Sequence, residues 1–377
     1  MKLIMICTGL KTGGAEMMLY KLLGYLSRGN MVLVISLTDK GDIGQRIEGL
    51  NVQVETLGMT YSFSSVFKLI QLVCRLKQLQ PDCVTTWLYH ADLIGGIAAS
   101  IAGVPAIVWN IRNGCLEIGG TKTLTRAVMR VCSWLSHFIP DRIICCSHMA
   151  KDLHIRQGYH KAKFVLIPNG FDILRFRSDQ EARRQVRMEM KIPQEAAVVG
   201  LIARFHPQKG HRIFFQAAGE LHRRRPDTFF LLAGDRVEPS NPALMDWISE
   251  AGISDCTRLL GVRRDAARLT CSLDIAVSAA VYGEAFSNAI GEAMACEVPC
   301  VVTDMGDSAF IVGNTGRVIP PADPNAMAIA LEDLLSMPER RRREIGRLAR
   351  KRVIDHFEIG RIAEQYKELY RETAGRN

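Results

Sequence analysis

The stretch "GEAFSNAIGEAMACEVPCVVTD" (283–304) places two glutamates eight positions apart. Glu284 follows a glycine, and Glu292 lies in a run with helical spacing that ends before an apolar strand. That helix is expected to start near Ala285–Ser287. Glu284 then stands at its entrance and Glu292 about two turns inside, at most ~12 Å further along the axis. Carboxylates this far apart do not work as one general acid/base pair on one bond. They suit the two ends of an elongated, hydroxyl-rich ligand. The N–H groups of Phe286, Ser287 and Asn288 at the helix start could hold an anion between them. The structural alternatives are plain. Glu284 could stabilise the helix dipole, and Glu292, flanked by Ala289, Ala293 and Met294, is a carboxylate in packed surroundings that needs a partner.

Two further stretches would supply contacts for that anion. In "ARFHPQKGH" (203–211), Arg204 and Lys209 flank a proline turn directly after a buried strand. Arginine as a bidentate fork and lysine as a point charge suit a diphosphate. In "CTGLKTGGAE" (7–16), Gly13 and Gly14 open a helix after the first strand, where backbone N–H groups can approach an anion closely. This is not the G-x-G-x-x-G nicotinamide fingerprint. A nucleotide sugar meets all these demands: ribose hydroxyls at one carboxylate, sugar hydroxyls at the other, a diphosphate between.

The elements that must position these residues alternate between strand and helix. "KLIMIC" (2–7), "MVLVISL" (31–37), "CVTTWL" (83–88), "AIVWNI" (106–111), "RIICCS" (142–147) and "KFVLIPNG" (163–170) read as strands with helical runs between them. The rhythm restarts with "AAVVGLIA" (196–203), "FFLLAGD" (229–235), "DIAVSA" (274–279) and "PCVVTD" (299–304). Continuous apolar strands separated by helices imply parallel sheets covered on both faces. The expected fold is therefore α/β, two doubly wound Rossmann-like domains facing a central cleft, with ligands beyond the carboxyl ends of the strands. The domains are placed at 1–170 and 196–360. The charged stretch 171–195 forms a hinge, and the C-terminal helix 361–377 joins the first domain.

Composition narrows the class. At 377 residues the chain can build two cores, and no apolar run reaches membrane-spanning length. Eleven cysteines without a C-x-x-C pair point to reduced thiols and a cytoplasmic setting. Charge is uneven. Residues 1–170 hold 18 Lys and Arg against 10 Asp and Glu, a net +8 of the chain's +9. An anionic partner follows: phosphate, nucleic acid or a membrane face.

The ordered set "GGAE", "IPNGFD", "ARFHPQKG", "LLAGD", "GVRRDAARL", the E-x7-E stretch and "GRVIPPADP" resembles the retaining glycosyltransferases of family 4, which have the GT-B fold. The resemblance runs along essentially the whole chain. It implies a C-terminal domain that binds a nucleotide-sugar donor, UDP-sugar first and GDP-sugar next, and an N-terminal domain that binds the acceptor. Arg204 and Lys209 match the cations on the diphosphate. Glu292 matches the carboxylate on the ribose, Glu284 the one beside the donor sugar, and Gly13 and Gly14 the loop over the diphosphate. No metal and no cofactor beyond the sugar co-substrate are implied. Where many relatives carry a histidine aimed at the donor sugar, this chain has Arg112 in "GVPAIVWNIRNG". His90, in "WLYHAD", is the nearest histidine, and both are placed at the catalytic site.

Two other classes compete. Nucleotide-sugar epimerases share the architecture and need no acceptor. A nucleic-acid-binding protein would account for the basic half, but no nucleic-acid module is recognisable. A lipid-linked saccharide acceptor at an anionic membrane accounts for it better. In the helix 121–138, Lys122, Arg126 and Arg130 fall on one side, and Leu124, Val128, Val131, Trp134 and Leu135 form an apolar side. The expectation is a cytoplasmic enzyme of cell-surface polysaccharide or glycolipid synthesis, peripheral on the membrane.

Overall fold

The computed structural model describes residues 1–60, 64–114 and 123–375. The chain divides into two units, Met1–Gly170 with Ile359–Asn377, and Phe171–Glu358. In the first unit β1 (Lys2–Cys7), β2 (Met31–Ser36), β3 (Gln53–Thr56), β4 (Cys83–Trp87), β5 (Ala106–Ile111), β6 (Arg142–Cys145) and β7 (Phe164–Leu166) form one sheet. Their order is β3-β2-β1-β4-β5-β6-β7, and every neighbouring pair is parallel. The second unit has β8 (Ala197–Ile202), β9 (Thr228–Ala233), β10 (Thr257–Leu259), β11 (Ile275–Ser278), β12 (Cys300–Thr303) and β13 (Gly316–Ile319). These run in the order β10-β9-β8-β11-β12-β13, again all parallel.

Strand order reverses between β1 and β4 in the first sheet and between β8 and β11 in the second. Neighbouring strands there send their helices to opposite faces, so a crevice opens at their carboxyl ends. The central strands β4 and β5 are buried along their whole length, which is why they read as mostly apolar runs, with only Thr85, Thr86 and Asn110 polar. The helix Ile359–Ala374 packs on the first unit, where Ile362, Tyr366 and Tyr370 are fully buried with Leu3, Met5 and Trp87 in one core.

Three strands absent from the sequence reading, β3, β10 and β13, all lie at sheet edges. Their sequences, QVET, TRL and GRVI, are short and half-exposed, so no apolar run marks them. The stretch expected as a hinge at 171–195 is corrected as well. It contains the helix Gln180–Glu189, capped by the Asp179 carboxylate on the Ala182 N–H, and it belongs to the second unit. Arg187 anchors it. This fully buried side chain donates to the carbonyls of Gln194, Ala196 and Ser272 and pairs with Asp274 at 2.8 Å. Burial raises the Asp274 carboxyl, but Arg183 and Arg187 outweigh it and hold the group below its ordinary value.

Candidate functional site

In the second unit the sequence-predicted residues gather at the β8/β11 reversal. After β8 the chain makes a single 3-10 turn, Pro207–Lys209, and enters the helix His211–Arg224 through Gly210 at φ +66°. A Cβ on Gly210 would lie 1.9 Å from the Ala279 carbonyl, so the two loops meet in backbone contact there. The Val281 N–H donates to the Gln208 carbonyl at 2.9 Å and stitches them together. Lys209 Nζ is thereby delivered to Glu284, and the two form an ion pair, with the glutamate side chain 9% and the lysine 23% exposed. Behind them the loop after β12 is equally close. A Cβ on Gly306 would fall 1.8 Å from the Glu284 carbonyl, and the Asp307 N–H donates to the Ala285 carbonyl.

The helix in the E-x7-E stretch runs Asn288–Ala295 with Ser287 at its N-cap. Its start is later than expected, which corrects two placements. Glu292 is one turn inside, about 6 Å along the axis, not two turns. Phe286 precedes the helix, so its N–H is not one of the first-turn donors that such an end presents to an anion. The Phe286 side chain is buried and stacks on Phe171 at a centroid distance of 6.1 Å. Ser287 and Asn288 stay at the helix start, and Glu292 is half-buried.

Arg204 is exposed at the end of β8. Its charge acts on His206, whose imidazole is pushed below its ordinary value first by burial and then by Arg204, Lys209 and Arg236. Arg236 and His206 escaped the sequence reading. Arg236 follows the "AGD" end of β9, donates to the Phe205 carbonyl at 3.1 Å and lies 5.6 Å from the centre of the Phe205 ring. A cation two residues after the glycine of that motif was the available signal. Three cations, an imidazole and a helix N-terminus beside a buried carboxylate are the groups that suit an anion next to hydroxyls.

In the first unit Gly13, His90 and Arg112 all lie beyond strand carboxyl ends. Gly13 is the extended N-cap of the helix Gly14–Leu26. A Cβ there would come within 2.2 Å of Glu16 Oε2, so glycine makes room for that carboxylate. Burial raises the Glu16 carboxyl above its usual range. His90 is the second residue of the helix Tyr89–Ala102. Its Nε2 is buried without a partner among the described residues, and burial lowers the imidazole below its ordinary value. Arg112 is no solvated surface cation. Its Nε donates to Asn110 Oδ1 at 3.1 Å, its Nη1 to Asn169 and its Nη2 to the Tyr366 hydroxyl, and its guanidinium lies 4.3 Å from the centre of the Trp87 ring. It ties the "IPNG" segment and the last helix to β4 and β5. Of its five N–H donors, three are used in these bonds among the described residues.

Two parallel-sheet units, each with its polar residues at a strand-order reversal, make up the GT-B fold. Residues 12–175 match the family model described as Glycosyltransferase Family 4, and residues 196–337 that described as Glycosyl transferases group 1. The chain belongs to the family 4 glycosyltransferases, enzymes that take their sugar from a nucleotide sugar. It is 26% identical over 310 residues to the UDP-Gal:alpha-D-GlcNAc-diphosphoundecaprenol alpha-1,3-galactosyltransferase of Escherichia coli, covering 80% of this chain and 78% of that one. It is 30% identical over 200 residues to a D-inositol 3-phosphate glycosyltransferase of Corynebacterium urealyticum, covering 50% of this chain and 47% of that one. Among solved structures, Anabaena HepE in complex with UDP superimposes with a TM-score of 0.87 at 22% identity, over 99% of this chain and 100% of that one.

Proposed function

We propose that this enzyme moves a hexose from a UDP-sugar to a hydroxyl of a lipid-linked diphosphate saccharide, with retention of anomeric configuration. The Lys209–Glu284 pair at the β8/β11 reversal carries the reading. A diphosphate entering there meets Lys209, Arg204 and the N-terminus of the helix Asn288–Ala295. As the glycosidic bond breaks, charge grows on the leaving phosphate, and cations already in place stabilise it. Glu292 takes the ribose hydroxyls, and Glu284 the donor sugar. No residue is assigned as a covalent nucleophile. The protein's contribution is position and charge. Arg112 and His90 serve the acceptor, the arginine as a donor of hydrogen bonds and the histidine as an imidazole.

The acceptor class is supported by the E. coli relative, whose name gives a GlcNAc-diphosphoundecaprenol acceptor and a UDP-Gal donor, and the donor base also by UDP in the HepE complex. A membrane-facing first unit is supported by exposed apolar side chains. On the helix Thr123–Leu135, Leu124, Val131 and Trp134 are exposed, as is Phe138 just beyond it, and their spacing puts them on one side. Lys122, the first cation expected on this helix, lies outside the described residues. Val66, Phe67 and Ile70 add a second exposed apolar patch. No helix among the described residues is long and apolar enough to cross a membrane, so contact would be peripheral.

The deciding experiment is a thermal-shift panel of UDP- and GDP-sugars, because a ligand bound only by the native state raises stability by mass action. Stabilisation by UDP-sugars and turnover that requires added acceptor are expected. Isomerisation of the donor sugar without acceptor would make the protein an epimerase instead.

A further inference from the structure

At the opposite end of the second sheet, a cavity of about 500 Å³ opens among the amino ends of β11 and β12, the segment 178–183 and the start of the helix Glu339–Phe357. Leu273 and Asp274 enter it just before β11, and Val298 and Pro299 just before β12. Lys209 and Glu284 lie beyond the carboxyl ends of the same sheet, so this is a separate place. Its size is that of a small-molecule site. Its wall is dominated by arginine: Arg183, Arg340, Arg342, Arg343 and Arg347.

The source of the charge is unusual. The helix Glu339–Phe357 carries eight Lys and Arg against three Asp and Glu, and four arginines in succession, 340–343, follow directly on its first residue. Cations at a helix N-terminus oppose the helix dipole. Their fields add to those of the N-terminal N–H groups, and the cavity receives both. Of the three carboxylates in the wall, Asp274 is taken by Arg183 and Arg187 and Glu339 by Arg343 at 2.5 Å, which leaves Glu297 against the exposed Arg340 and Arg347. Arg340 and Arg347 make no hydrogen bond or ion pair among the described residues. With Arg343 they follow the spacing i, i+3, i+7, which puts all three on one helix face. Planar forks on one face, above a helix N-terminus, match the oxygens of a phosphate group.

We propose that this cavity is a second anion site of the enzyme, separate from the donor site, which binds a phosphate or diphosphate group through Arg340 and Arg347. The group could belong to a soluble phosphorylated compound or to a lipid headgroup.

Cys271 and Cys296 line the same cavity and provide a reporter independent of catalysis, with exposed Cys74 in the other unit as internal reference. Iodoacetamide labelling of each cysteine is followed by peptide mass spectrometry, with inorganic pyrophosphate or with phosphatidic acid vesicles. Slower labelling of Cys271 and Cys296 relative to Cys74 is expected, and it should persist in Lys209→Ala. Arg340→Gln and Arg347→Gln should each weaken the protection about tenfold, as for loss of one charge-assisted hydrogen bond. Protection by pyrophosphate assigns a soluble ligand, and protection by vesicles alone assigns a headgroup. Protection by neither overturns the proposal, as does protection lost in Lys209→Ala but kept in the arginine variants. If the thiols resist alkylation even without ligand, ³¹P line broadening of pyrophosphate in the Lys209→Ala background gives the same comparison. Broadening unchanged by Arg340→Gln with Arg347→Gln would likewise overturn it.

Discussion

Lys209 and Glu284, 75 residues apart in the chain, form an ion pair across the β8/β11 reversal. The two were expected to touch different parts of a donor, lysine on the diphosphate and glutamate on the sugar. Before a donor arrives they hold each other. Lys209 must exchange a carboxylate for a phosphate, and Glu284 is released to accept sugar hydroxyls. The variants should therefore separate. Lys209→Ala is expected to lower transfer on the order of 10²–10³-fold. Glu284→Gln should leave UDP affinity equal or tighter while turnover falls, because the lysine loses its competitor. Calorimetry with UDP, set beside kcat, checks this. Weaker UDP binding in Glu284→Gln would contradict the exchange.

The other glutamate acts at the other end. Glu292→Ala should weaken UDP itself, by about the 1.5–3 kcal/mol of a hydrogen bond to a charged group, and lower kcat/KM in proportion. Equal affinity of wild type and Glu292→Ala for UDP would remove Glu292 from the ribose.

How much of this was legible follows from what positions each residue. The central strands announced themselves because burial on both faces demands mostly apolar runs, as in "AIVWNI". The edge strands QVET, TRL and GRVI carry no such demand. The residue types of the site, Arg204, Lys209, Glu284 and Glu292, were visible in their motifs. The Lys209–Glu284 contact was not, because it depends on β8 lying beside β11 rather than beside β10. Arg187 shows the same limit. In the sequence it belongs to a charge run, and only the fold encloses it with Asp274. Charge totals hid the basic helix Glu339–Phe357 by averaging it with acidic segments.

Gly291 records a packing constraint at the donor helix. A Cβ there would lie 2.0 Å from the Phe171 ring. Gly291→Ala should destabilise the second unit by about 1–3 kcal/mol, the usual cost of overpacking. Phe171→Leu in the same chain should recover part of it. Thermal unfolding of the single and double variants measures the coupling, and additive losses would mean that the ring is not what excludes the methyl.

Asp92 sets a pH dependence in the first unit. It is fully buried, accepts from the Thr86 hydroxyl at 2.5 Å, and burial pushes its carboxyl up to about 8. The folded state therefore keeps a proton that the unfolded chain releases near pH 4. Where the folded state binds more protons, stability falls as pH rises, so this contribution declines from about pH 4 to about pH 8. Asp92→Asn, which cannot ionise, should flatten that part of the Tm profile and gain on wild type towards pH 8. A constant Tm difference across this range would show that Asp92 does not titrate there.

The first unit's helix Thr123–Leu135 offers the membrane test. Arg130 is exposed and Arg126 half-buried on it, while Trp134 and Val131 present apolar surface to solvent. An anionic surface attracts each nearby cation by roughly 1 kcal/mol, screened by salt, whereas insertion of apolar side chains is far less salt-sensitive. The two contributions can thus be separated in one assay. Co-sedimentation with liposomes should rise with anionic lipid and fall with salt. Arg126→Glu with Arg130→Glu should lower the partition about tenfold or more at low salt. Trp134→Ala should reduce the salt-resistant remainder. Equal recovery on neutral and anionic vesicles at low salt would reject the electrostatic contribution, and an unchanged remainder in Trp134→Ala would place the apolar stripe away from the membrane.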